Sequence, residues 1–80
     1  MKTDIMKLNK ERVLGVLQQY KTPENAIEES ELGSESFLGY SRLSETIFEL
    51  AVNDKVPVKM TGFPAKFYLD EEKIQERNNQ

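Results

Sequence analysis

The chain is 80 residues long, enough for one small domain, and its 14 acidic and 11 basic side chains leave a formal net charge of -3. Having no cysteine and no histidine, it excludes a disulfide framework, a thiolate metal site, the usual neutral-pH general base and every Ser-His or Cys-His pair. Neither an apolar leader nor a stretch near the roughly 20 apolar residues that span a bilayer is seen, so the expectation is a cytoplasmic protein in a reducing compartment with no membrane partner.

Asn9 is a suitable N-cap, and Val13, Leu14, Leu17 and Tyr20 fall on one stripe of residues 10–20. This predicts a first helix preceded by an N-terminal extension over residues 1–8. Gly15 weakens that helix by about 1 kcal/mol relative to alanine. Thr22 and Pro23 then restart the chain, a capping residue followed by a proline suited to the first helical position. A second helix is expected over residues 23–32, burying Ala26, Ile27 and Leu32 and exposing its glutamates. Gly33 would end it, and Ser34 could cap the next element.

The best helical pattern is Leu43, Ile47, Leu50 and Ala51 within residues 40–52. Gly39 separates this third helix from a short turn at residues 36–38, and Asn53 and Asp54 close it. From Val56 the period becomes two, with Val56, Val58 and Met60 alternating with Pro57, Lys59 and Thr61. Thr61-Gly62-Phe63-Pro64 reads as a turn and residues 66–69 as a returning strand. Pro57 suits an edge position because it cannot donate to a ladder. A hairpin alone is barely stable in water, so it must lie against the helices. Residues 71–80 form a polar, charged tail, expected as a short helix or a disordered end.

Between Glu24 and Glu49, seven glutamates stand against Arg42 alone, while the rest of the chain is net positive. The overall acidic balance argues against a strongly electrostatic nucleic-acid binder. The adjacent acids Asp70, Glu71 and Glu72 diverge instead of converging on one ion, so no metal is expected. There is no Gly-rich phosphate loop, dinucleotide fingerprint or calcium loop, so no cofactor and no enzymatic activity are expected either. The work of such a chain is binding.

Two segments carry a family likeness. Tyr40-Ser41-Arg42-Leu43, with Ile47 and Leu50 following, is similar to a winged-helix recognition helix, and Gly62-Phe63-Pro64-Ala65-Lys66-Phe67-Tyr68-Leu69 is similar to a wing and its returning strand. In the order helix, helix, turn, helix, hairpin, the chain resembles the prokaryotic winged-helix transcription regulators over roughly residues 8–69. The resemblance implies a mainly α fold with a small β-hairpin: a winged helix-turn-helix over residues 9–70, with three helices and a wing of two or three strands. It also implies double-stranded DNA as partner. Ser36, Tyr40, Ser41, Arg42 and Ser44 would face the major groove, and Lys59 and Lys66 would meet phosphates. A homodimer is implied as well, because one small winged helix covers few base pairs.

Each of these residues has a second reading. Arg42 either reads guanine or pairs with Glu45 or Glu49 on the helix surface. Lys59 and Lys66 either touch phosphates or are ordinary exposed lysines. Phe63 stands where many DNA-binding wings place arginine, and it either folds over Leu69 or Val58 or marks an apolar contact for a protein. Glu28, Glu29 and Glu31 either repel a nearby duplex or merely solvate a helix face. The first functional expectation is therefore a DNA-binding transcriptional regulator. The alternative is a protein-interaction module that uses Glu28, Glu29, Glu31 and Phe63 to engage a basic or nucleic-acid-binding partner protein.

Overall fold

The computed structural model of the chain describes residues 2–70. The first helix, α1, is Lys2–Leu17, and a single 3-10 turn at Pro23–Asn25 leads into a two-residue strand, β1, at Ile27–Glu28. Two helices follow, α2 at Glu29–Ser36 and α3 at Tyr40–Phe48, the latter prolonged by a π turn at Glu49–Asn53. Strands β2 at Val58–Thr61 and β3 at Lys66–Leu69 complete the order. Among the described residues the fold is mainly helical, with three α-helices and a small antiparallel sheet in the order β1-β3-β2. The tail expected over residues 71–80 lies outside the described residues.

Two sequence expectations need correction. Asn9 does not cap α1; it is buried within the helix, and residues ahead of it form its first turns instead of a separate extension. Residues 2–8 contain neither proline nor glycine, and Asp4 complements the positive end of the helix dipole, so nothing halts the helix before Lys2. At its other end α1 stops at Leu17, short of Tyr20, whose N–H closes a turn onto the Leu17 carbonyl at 3.0 Å.

The second correction concerns the next helix. Thr22 and Pro23 do begin a helical turn, with the Thr22 Oγ1 accepting from the Asn25 N–H at 3.2 Å, but that turn lasts only three residues. Ala26 is extended, and Ile27 and Glu28 pair with Phe67 and Lys66 of β3, supplying the third strand. Ala26, Ile27 and Leu32 looked like one helical stripe, yet Ile27 reaches the core from a strand and Leu32 from a helix. Tertiary pairing overrides the local pattern here.

The core joins every layer. Val13 and Leu17 come from α1, Ile27 from β1, Leu32 from α2, Leu43 and Leu50 from α3 and its π turn, and Phe67 and Leu69 from β3. Each such side chain contributes about 1.5–3 kcal/mol by leaving water. Backbone bonds fasten the hairpin to the helices. The Leu69 N–H donates to the Tyr20 carbonyl at 2.8 Å and the Val56 N–H to the Leu50 carbonyl at 2.9 Å, while the bond from the Asp70 N–H to the Pro57 carbonyl at 2.9 Å closes the base of the hairpin itself. Pro57 thus precedes an edge strand, as its missing donor requires. Met60 breaks the expected alternation. It shares a sheet face with Phe67, its register partner, but lies on the outer strand beyond the reach of the core and stays exposed.

Candidate interaction surface

The turn between α2 and α3 is built from the inside. The Leu38 N–H donates to the Gly33 carbonyl at 2.9 Å and the Phe37 N–H to the Ser34 carbonyl at 3.3 Å, a Schellman closure with Phe37 in the left-handed conformation at φ 62°. Leu38 then turns inward to join Leu32 in the core, the apolar contact that accompanies this motif. Gly33 is therefore inside α2 and does not end it. A Cβ at Gly33 would stand 2.9 Å from the Leu38 carbonyl oxygen, so the turn closes this tightly only over glycine.

Ser36 is the first predicted contact residue that the structure moves. It ends α2 instead of standing on the outside of the third helix, and it is buried with its hydroxyl donating to the Leu32 carbonyl at 2.6 Å. A side chain spent on its own helix offers nothing to a partner. Phe37 takes its place on the surface, 81% exposed.

Gly39 leads into α3 as expected, with the Leu43 N–H donating to its carbonyl at 2.9 Å. Leu43, Thr46 and Leu50 turn inward, and the Thr46 hydroxyl is satisfied by the Arg42 carbonyl at 2.6 Å. Helical periodicity then sends Ser41, Ser44, Glu45 and Phe48 outward, and all four are exposed. Tyr40, Ser44 and Phe48 lie four residues apart and form one ridge about 12 Å long. Val52, also exposed, follows in the π turn. The outer face of α3 therefore combines two aromatic rings, three hydroxyl groups and a carboxylate.

The predicted cations do not gather on that face. Arg42 borders a groove between α1 and α3, where its neighbours include Lys7, Asn9 and Lys10 from α1 and Glu45 and Glu49 from α3. It pairs with neither glutamate among the described residues, so the surface ion pair that was its alternative reading is not formed. Lys59 and Lys66 share the sheet face turned away from Phe67 and Leu69, together with Thr61 and Tyr68. Glu28 is the register partner of Lys66 on that same face, though the two form no ion pair.

The predicted acidic set divides in a similar way. Glu28 belongs to β1, Glu29 opens α2 half-buried, and Glu31 alone of the three is fully on the surface. Glu35, one turn on, joins it: Ser30, Glu31, Ser34 and Glu35 border one shallow depression on the outside of α2. Phe63 does not fold over Leu69 or Val58; it stands fully exposed at the hairpin tip, joined to Pro64 by a cis peptide bond.

Phe37, Phe48, Val52 and Glu35 were not singled out from the sequence. Phe48 had a legible signal, since it is a large apolar residue lying off the Leu43, Ile47 and Leu50 stripe. Phe37 had none, because nothing in its neighbours announces a left-handed phenylalanine. Among the described residues no group of three carboxylates could hold a metal ion, and no helix is long and apolar enough to cross a membrane. No family model matches this chain, and comparison with curated proteins and with solved structures finds no match.

Proposed function

We propose that the chain is a winged-helix module that docks on a protein through the outer face of α3. The winged-helix reading is supported by the order helix, strand, helix, helix, strand, strand and by the sheet order β1-β3-β2, which ties the first strand to the returning strand of the hairpin. The protein-docking reading is carried by one observation. The exposed side of α3 presents the aromatic rings of Tyr40 and Phe48, and its one arginine shares a groove with Glu45 and Glu49. A carboxylate against phosphate is repelled, whereas exposed aromatic side chains are enriched at protein interfaces. Phe63 at the hairpin tip extends the same character to the wing.

DNA binding is the second reading. It is favoured by Arg42, Lys59 and Lys66, none of which has an ion-pair partner among the described residues. A mobility-shift titration with random duplex at low salt separates the two, because nonspecific DNA binding is detectable at about 100 μM protein or below. Free duplex that persists at that concentration supports protein docking. A retarded band that weakens on Arg42→Ala or Lys59→Ala replaces it with the DNA reading.

A further inference from the structure

We infer that the two aromatic rings flanking the interhelical turn, Phe37 and Tyr40, form a receptor for an arginine side chain of the partner. The inference rests on the protein-docking reading and adds the chemistry of what is docked. Phe37 is 81% exposed and Tyr40 70% exposed, and only Leu38 and Gly39 separate them. Both rings are thus presented beside one turn whose other large side chain, Leu38, is turned into the core. An exposed ring face attracts a cation through its quadrupole, and a guanidinium plane stacks on it as well.

Charge complementarity selects this occupant. No lysine or arginine occurs between Lys21 and Arg42, whereas Glu31 and Glu35 border the depression on α2 that ends one residue before Phe37. The Ser34 hydroxyl, about one turn before Phe37, adds an acceptor for a guanidinium N–H group that a ring cannot satisfy. An acidic or neutral apolar segment would gain the rings but lose the carboxylates. A lysine would gain both charges but not the planar stacking, so arginine fits best.

Phe37 permits a test in which folding and binding move in opposite directions. Its left-handed backbone suits glycine better than phenylalanine, so Phe37→Gly keeps the fold and raises its melting temperature while removing one ring. Binding would be read by fluorescence anisotropy with labelled peptides alternating arginine and serine, and with lysine and glutamine counterparts of equal length. The arginine peptide is expected to bind most tightly, and Phe37→Gly to weaken it about two- to fivefold, the range of one exposed cation–ring contact. Glu31→Gln with Glu35→Gln should weaken the arginine and lysine peptides together and flatten their salt dependence.

Equal affinity for the arginine and lysine peptides overturns the inference. So does unchanged arginine binding in Phe37→Gly. If Phe48→Ala abolishes peptide binding while Phe37→Gly does not, the arginine receptor falls and docking through α3 stands. If no peptide binds and the duplex does, both fall.

Discussion

Three positions among the described residues are left-handed, Phe37, Lys55 and Gly62; Phe37 and Gly62 stand at turns that carry an exposed phenylalanine, and the two turns are filled differently. In the hairpin the position belongs to Gly62 at φ 79°, with the exposed phenylalanine placed next to it. Between α2 and α3 the exposed phenylalanine itself takes the position, at φ 62°. Glycine accepts that backbone freely, whereas any residue with a Cβ is raised by about 1–2 kcal/mol. Phe63 therefore stands in water without the left-handed backbone, and Phe37 stands there with it. The two exposed rings have different standing: the left-handed one is anchored in a turn that closes tightly over Gly33, and the other rides on the hairpin loop.

That contrast predicts which turn the stability of the domain depends on. Leu43→Ala, beneath the interhelical turn, should produce the largest loss. Its side chain is fully buried among α1, α2 and α3, and truncating such a leucine costs about 2–5 kcal/mol through lost burial and the cavity left behind. Chemical denaturation would check it, and a loss near zero would mean that α3 is not packed as described. Gly33→Ala comes next, at about 1–3 kcal/mol, because the new Cβ meets a backbone carbonyl that cannot rotate away. A neutral Gly33→Ala would show that the turn can open without cost, and the contrast with the hairpin would disappear.

Gly62 and Phe37, two of the three left-handed positions among the described residues, give a matched pair of opposite sign. Gly62→Ala should destabilise by about 1 kcal/mol from backbone strain alone, since a Cβ there meets the Pro64 carbonyl oxygen at an ordinary 3.5 Å. Phe37→Gly should stabilise by about 0.5–1 kcal/mol, the relief of the left-handed side chain outweighing the extra freedom glycine brings to the unfolded chain. Thermal melts of both variants beside the parent would decide. Two shifts of the same sign would show that the turns do not differ as their backbone angles indicate.

How much of this was legible in the sequence depends on the range of the interactions involved. The buried Leu43 and Leu50 of the third helical segment and the returning strand over residues 66–69 could be read because periodicity is a local signal, whereas the point at which that helix begins could not. The two-residue strand at Ile27–Glu28 could not, because it exists only by pairing with a strand some forty residues later. Gly33 misled for a related reason: a glycine before a polar run reads as a helix end, but here it makes room for Leu38 to fold back. On the surface, Arg42 could be recognised as the lone base of an acidic stretch, but its position at the edge of α3 depends on how α1 crosses that helix.

The smallest predicted effect lies where the helical half meets the hairpin. The Lys10 Nζ stands 2.9 Å from the Asp54 Oδ2, linking α1 to the residue that ends the π turn and begins the path to β2. Both side chains are partly in water, at 23% and 38% exposure, so the pair contributes about 0.2–1 kcal/mol at low salt and less as ions screen it. Asp54→Asn should lower stability by that amount in dilute buffer and by almost nothing at about 1 M salt, where the screening length falls to roughly 3 Å. The Val56 N–H bond to the Leu50 carbonyl and the Leu69 N–H bond to the Tyr20 carbonyl continue to hold the hairpin without it. A loss that exceeds about 1 kcal/mol and persists in high salt would mean that the hairpin's attachment depends on this one contact, and that it is docked less independently than its backbone bonds indicate.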